Sequence, residues 1–568
     1  MTAAEIRDLV LDDNDDDDDI HLNNSSDDDS DDDSNHAASD DQDDDDIPDY
    51  ANMASTWRRA NKEDPQIPGF IGRVGVPDTG ITVAVDGFEP ADFFSLFITD
   101  QLISMITTET NHYAQSLLQQ ANLRPRSRLH KWSPTTDDEM KVFIGLLLLM
   151  ALNKKPEIHM YWTKEPLLSS PIFPAVMLRD RFQILLRCWH FCDNSAADPA
   201  ADKLYKIRSL LDSLSSSFQS VYVPDVNLSV DEELVLWKGR LQFKQYIPLK
   251  RSRFGIKIYC LCEDSGYTYR MQVYTGKDNP DQEIYTVLPD DTEHLSKTEK
   301  IVVHLLMPLL DKGYQLYCDN FYTSVQLFSY LNSHYTGCCG TMRRNRVPKI
   351  VQDAGVGKGE SVGYRNENLL CVKFKDKRDI YVLSNLHSES TTRKRVRGRH
   401  ENYTDRPDCI ADYNKHMGGV DMTDQMIAPY DATRKTLKWY RKLVVHFLQV
   451  AMLNAYLLFQ KANPTSKLRF VKFQLQVIRA MIASTSVDAE AARDECVARL
   501  SGRHFLTHTP PTASKGARRN LITRRCRVCY KKGIRREVTY ICGRCPSQPA
   551  LCPVPCHELY HTKLKYWE

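Results

Sequence analysis

The sequence predicts an α+β, multidomain protein: a mixed-sheet core flanked by two helical portions and followed by a cysteine-rich tail. Three observations carry this expectation. Apolar residues recur at helical spacing from about Phe88 to Val223, they alternate from Asn227 onward, and six cysteines stand at short intervals between Cys526 and Cys556. At 568 residues the chain exceeds one ordinary core, so roughly three or four folding units are expected.

Charge separates the start of the chain from the rest. The 74 Lys and Arg nearly balance 75 Asp and Glu, yet the first fifty residues hold 22 acidic side chains and only Arg7 as a base. That segment carries −21 of a total of −1, leaving +20 from Ala51 onward. Asp-Ser tracts such as DDNDDDDD cannot bury enough apolar surface to offset chain entropy, so residues 1–53 read as an acidic disordered tail and 54–87 as a linker. A basic body attracts polyanions through counterion release, which makes nucleic acid the first partner to expect; surface charge for solubility alone is the competing explanation. No charged segment followed by an apolar stretch opens the chain, and the longest apolar run, Val142 to Leu152, is shorter than the ~20 residues of a membrane span. The expectation is a soluble intracellular protein with no membrane partner. In that compartment sixteen cysteines point to metal ligation rather than disulfides.

Residues 88–225 form the first helical portion, with FFSLFITDQLISMITTETNHYAQSL and EMKVFIGLLLLMAL as its clearest helices. Over 226–345 the strands NLSVDEEL, GIKIYCLCE and YTYRMQVYTG come first. A helix follows in SKTEKIVVHLLMPLL, opened by Ser296 with Glu299 three residues on, then the strand YQLYCDNFYT, a helix from Ser324 to Leu331, and the strand GCCGTMR. The order is β, β, β, α, β, α, β. Residues 346–407 break into basic, polar and strand fragments, including RDIYVLSNLH and TRKRVRGRH, and read as an insertion. The core resumes over 408–430, and a second helical portion follows over 431–505. A linker at 506–523 leads to the tail, 524–568.

Asp231 in SVDEE and Asp319 in YCDNFY interrupt apolar alternation, a costly placement unless compensated. Asp421 and Asp424 are three residues apart and share one helical face, just after Gly418 and Gly419. Any one of these acids alone reads as a surface or capping residue; four in this order around one sheet do not. In-line attack at phosphorus can use two metal ions ~3.5–4 Å apart, and hard Mg²⁺ or Mn²⁺ takes carboxylate oxygens.

The blocks SVDEELVLWKGR, YCDNFYTS, GTMRRNRVPK and DYNKHMGGVDMTDQ resemble the signature blocks of the piggyBac transposases. The strand order, with acids on the first strand and just after the fourth, is similar to the RNase H-like fold of retroviral integrases and DDE/D transposases. The resemblance implies a catalytic triad of Asp231, Asp319 and Asp421 with Asp424 as an additional essential acid, all binding Mg²⁺ or Mn²⁺. It also implies a nuclear homodimer that cuts double-stranded DNA at transposon ends through hairpins and joins them into TTAA sites. A domesticated, non-cutting DNA or chromatin binder is the alternative, as is a nuclease or recombinase of another family with the same core. Arg434, Lys435, Lys438 and Arg441 around Trp439 suit phosphate contacts plus base stacking, although Trp439 equally suits a helix core. Arg343, Arg344 and Arg346 are further DNA-contact candidates.

The tail reads C-x2-C, twelve residues, C-x2-C, then Cys552, Cys556, His557 and His561. Cys526, Cys529, Cys542, Cys545, Cys552, Cys556, His557 and His561 are ligands enough for two structural Zn²⁺ ions in an interleaved cross-brace. His504 in GRHF competes with the two histidines, of which His561 is the first choice. The surrounding Arg518, Arg519, Arg524, Arg525, Lys531, Lys532, Arg535 and Arg536 suit nuclear import or a DNA-binding face, with histone reading as the competing role.

Overall fold

The computed structural model describes residues 57–60, 65, 67, 69–119, 127–194, 201–248, 253–276, 288–395, 403–483, 503–510, 521–545, 547–563 and 566. The expected acidic tail, Arg518 and Arg519 lie outside them, as does part of the TRKRVRGRH cluster.

The helices that matter for the site come first: α1 (Pro90–Ser95), α2 (Asp100–Leu118), α3 (Asp137–Leu152), α4 (Arg179–Cys188) and α5 (Arg208–Val221), with a short helical turn at Ile172–Val176 between α3 and α4. Threonine hydroxyls cap α2 and α3, Thr99 accepting from the Leu102 amide and Thr136 from that of Glu139, which satisfies donors the first turn leaves open. The strands follow: β1 (Asn227–Leu236), β2 (Phe254–Glu263), β3 (Thr268–Val273), β4 (Gln315–Cys318) and β5 (Gly337–Thr341). β1 pairs antiparallel with β2 and parallel with β4, β4 pairs parallel with β5, and β3 pairs with β2. This is the RNase H-like order anticipated above. The parallel steps are bridged by α6 (Lys297–Leu306) and α7 (Val325–Ser333). The expected capping box at Ser296 and Glu299 is present, and the Glu299 carboxylate also accepts from the hydroxyl of Ser324, the N-cap of α7. One buried carboxylate thus ties the starts of both crossover helices.

The stretch read as an insertion adds β6 (Ser361–Asn366), β7 (Leu369–Lys375) and β8 (Asp379–Ser384) to the same sheet, β8 pairing with β5, β7 with β8 and β6 with β7. RDIYVLSNLH, read as a strand fragment, holds β8, whereas β7, LLCVKFK, escaped the periodicity argument because it is buried on both faces and shows no alternation. Residues from the expected linker are laced on as well. Arg58–Arg59 pairs with β6, Trp57 is buried, and Ile81 bridges to Tyr222.

Two helices cover one face of the sheet: α8 (Asp408–His416) and α9 (Gly419–Ile427). The second helical portion supplies α10 (Trp439–Ala462) and α11 (Phe470–Ala483). α10 packs on α1 and α11, and α11 on α3, so the two helical portions form one layer around a single core continuous with the sheet. α10 is long and apolar enough to cross a membrane by composition, but nearly all of it is buried inside this core.

A close approach seats α9. A Cβ built on Gly419 would stand 2.5 Å from Ser229 Oγ and 2.7 Å from the carbonyl of Glu263. Gly419→Ala is therefore expected to lift α9 from β1 and β2 and to cost about 1–3 kcal/mol, the usual range for overpacking. Denaturant unfolding checks this, and an unchanged midpoint would show that the contact is looser than drawn.

Candidate active site and zinc centres

The site grows from the register of two neighbouring strands. Val230 on β1 stands beside Cys318 on β4. One residue further along are Asp231, still within β1, and Asp319, just past the end of β4, so the register brings the two acids abreast. Ser229, two residues before Asp231 on the same face, lies under Gly419, so α9 is laid over that face. Thr423 fastens it by donating to the carbonyl of Gly266, 2.7 Å away. Asp421 and Asp424 ride on this helix, Asp421 exposed and Asp424 half-buried.

Shared electrostatic neighbours report the convergence. Burial pushes the Cys318 thiol up to about 12, against a hydrogen bond from Thr323 and with help from the charges of Asp319 and Asp231. The same two carboxylates raise Tyr413, for which burial is again the largest cause. Burial holds Cys260 well above its ordinary value, and Glu233, Asp424 and Asp231 all add to the effect. The carboxylates nonetheless form an open set. Among the described residues only two groups, one of four cysteines and one of two cysteines and two histidines, bring three or more donor atoms within 4.8 Å of one another.

Backbone amides aim the two strand acids: Glu232 N–H donates to Asp231 at 2.8 Å and Phe321 N–H to Asp319 at 2.9 Å. Burial raises the Asp319 pKa and the Glu232 charge adds to it, while the Phe321 amide, Arg343 and Lys257 oppose the shift. Behind the site, Glu233 is buried against His446 of α10 at 3.0 Å. On the α8 side, Asp412 accepts from Tyr317 at 2.6 Å and meets His387 and His416, and His416 in turn meets Asp264 in the β2–β3 turn. Sequence reasoning passed over both networks. Glu233 was legible as a second acid on the Asp231 face of VDEEL, whereas a lone histidine in an apolar helix gave no comparable signal.

The tail gathers two donor sets. Cys526, Cys529, Cys552 and Cys556 form one, and His504, Cys542, Cys545 and His561 form the other. The pairs interleave along the chain as a cross-brace. Zn–S bonds of ~2.3 Å in a tetrahedron separate sulfurs by about 3.8 Å, and a sulfur from a nitrogen by about 3.6 Å. Cys529 Sγ lies 3.7 Å from Cys552 and 3.6 Å from Cys556; His504 Nδ1 lies 3.5 and 3.6 Å from Cys542 and Cys545, and His561 Nε2 lies 3.4 Å from Cys545. These spacings fit zinc and are far too long for a disulfide. His561 Nδ1 donates to the His557 carbonyl at 2.7 Å, which leaves Nε2 as the lone-pair nitrogen facing the sulfurs.

His557 is the correction. It belongs to neither set, and His504 takes the place the sequence reading gave it. On the helix Cys556–Thr562 (α12), His557 lies one turn before His561, its ring 4.5 Å from that of His561, but its nitrogens fall outside both donor sets. His504 arrives on a segment first read as the approach to a linker, where Leu506–His508 pairs with Tyr540–Cys542. Three residues are too few to show periodicity.

A family model described as Transposase IS4 matches residues 89–456, and one described as a DDE_Tnp_1-like zinc finger matches 513–562. The chain belongs to the piggyBac transposase family. Human PiggyBac transposable element-derived protein 3 is 25% identical over 89% of this chain and 81% of its own length. Human PiggyBac transposable element-derived protein 2 is 26% identical over 65% and 61%. A cryo-EM structure of a piggyBac transposase synaptic complex with hairpin DNA shares the fold at TM-score 0.64 and 23% identity, covering 85% of this chain and 98% of that one.

In this piggyBac-family chain the basic candidates divide. The Arg434 guanidinium donates to the Lys155 carbonyl at 2.9 Å and lies over the ring of Tyr161, and Arg441 donates to the carbonyls of Trp189 and Arg187. Both are committed to the helical layer. Lys438 donates to Tyr113 at 3.1 Å, and burial, with Arg441 nearby, lowers it to about 8. Trp439 is half-buried edge-on to Phe243. Lys435 and Arg344 are exposed, and Arg343 lies beside Asp319 over Phe321.

Two outcomes are expected. Metal analysis of the purified chain should give two zinc ions, falling toward one in His504→Ala and staying at two in His557→Ala; the reverse pattern would return His557 to the ligand set. For Asp319, the folded chain holds the proton more tightly than the unfolded one. Stability is therefore lost as pH rises from the ordinary carboxylate value through the raised one, and above that window the charge disfavours the fold. Asp319→Asn should melt higher than wild type at pH 7 in magnesium-free buffer, with the difference vanishing in acid. A lower melting point at neutral pH would sink the desolvation account.

Proposed function

We propose that this transposase-family protein is an active cut-and-paste DNA transposase, with Asp231, Asp319, Asp421 and Asp424 as its catalytic, metal-binding acids. The observation that carries the reading is the abreast placement of Asp231 and Asp319 beneath the helix bearing the other two. When bound, Mg²⁺ or Mn²⁺ ions supply an activated oxygen nucleophile and stabilise the leaving oxygen at phosphorus. The chain's own part is to hold the acids. The amides of Glu232 and Phe321 aim the strand carboxylates, and Thr423 and Gly419 set the height of Asp421 and Asp424 above them.

The DNA is double-stranded, the ends of a transposon and a TTAA target, cut through hairpins by a nuclear homodimer that pairs two ends. The hairpin DNA in the related synaptic complex supports this substrate, and the basic charge from residue 51 onward supports a polyanion in general. Two structural zinc ions in the tail stabilise a module that contacts the ends, with Arg524 and Arg525 on its surface. The second reading, a domesticated DNA or chromatin binder that does not cut, draws on the names of the human relatives, which are called transposable element-derived.

Excision decides between them. With Mg²⁺ or Mn²⁺ and the terminal repeats flanking its own gene, wild type should release the element, and Asp319→Ala should lose on the order of a thousandfold or more while still binding the ends. Equal inactivity of both proteins, with binding intact, would favour the non-cutting reading.

A further inference from the structure

We infer that Lys257 is a phosphate-binding residue of the active site, placing its ammonium on a non-bridging oxygen of the DNA backbone beside the bond that is cut. The inference rests on the transposase reading and extends it to a residue outside the acidic set.

Lys257 lies on β2 opposite Leu234, and only 5% of its surface is exposed. Its Nζ sits 4.8 Å from the centre of the Tyr259 ring and 4.5 Å from that of Phe321. Among the described residues it makes no ion pair, although buried lysines are almost always paired. Aromatic faces attract a cation without neutralising it, so the charge stays available to an anion.

The position of that charge is tied to the reacting centre. Phe321 is two residues beyond Asp319, and its own amide aims the Asp319 carboxylate at 2.9 Å. The Arg343 guanidinium lies 5.4 Å from the same ring and donates to Asn320 Oδ1 at 3.3 Å. Two cations therefore share one ring next to an acid whose catalytic partner would be a phosphodiester. Both charges also act on Asp319, opposing the burial that favours its proton. A single phosphate oxygen suits the compact ammonium of lysine, while arginine's fork suits a flanking phosphate.

The test uses the full chain and duplexes carrying its terminal repeat, with affinity measured across a series of salt concentrations. Each phosphate contact adds about 0.9 to the slope of log affinity against log salt, so K257M should lower the slope by roughly that amount. It should also slow single-turnover cleavage at least tenfold, and K257R should recover most of both. One uncharged methylphosphonate beside the cut site should weaken wild type and leave K257M unaffected. An unchanged slope, with K257R as impaired as K257M and with methylphosphonate penalising both proteins equally, would make Lys257 a packing residue and overturn the inference. The binding measurements need no cleavage, so a wild type that fails to cut yet loses slope in K257M would refute the catalytic reading and leave the phosphate contact standing.

Discussion

The parallel pairing of β1 with β4 is the constraint on which the rest of the structure depends. Its register sets Val230 beside Cys318 and so brings two acids, 88 positions apart in the chain, to adjacent points at one edge of the ladder. A slip of one residue on either strand would send one carboxylate through to the opposite face. The crossover helices exist to allow that pairing, since parallel neighbours cannot be joined by a tight turn. Their shared Glu299 anchor fixes both at their starts. α9 can lie over this edge only because position 419 has no side chain.

Polar groups behind the acids serve the same geometry. Glu233 with His446 joins β1 to the long central helix, and Asp412 with His416 and Asp264 joins α8 to the β2–β3 turn. Both sit where helices of different chain origin meet the sheet. Buried ionic groups of this kind contribute little net stability but disfavour alternative packings in which they would be left unpaired. Their positions match that use, because each spans a junction whose displacement would move an aspartate.

How much was readable in advance follows from what each feature needs. The run from β1 to β5 was legible because each strand is long enough to alternate or is punctuated by a turn, and because Ser296 and Glu299 announce α6 in two residues. The four aspartates stood out as polar interruptions in apolar surroundings or as a helical pair. Within the stretch read as an insertion, RDIYVLSNLH was legible as a strand fragment and holds β8, whereas β7 was not, since burial on both faces erases the period-2 signal and nothing local says that a sheet continues. The basic residues near Trp439 were the hardest. Whether an arginine reaches outward or bonds to a distant carbonyl, as Arg434 does across 279 positions to Lys155, depends on contacts that no local pattern records.

The capture of His504 by the tail alters the reach of that module. Were the globular tail to begin at Arg524, some forty residues would separate it from the end of α11. With His504 locked against Cys542 and Cys545, about twenty residues of chain lie between the end of α11 and the module, a separation of at most about 70 Å. Under the proposed function, a tail so close to the body would meet DNA held there at high effective concentration, and that separation would bound how far along the duplex a second contact could fall.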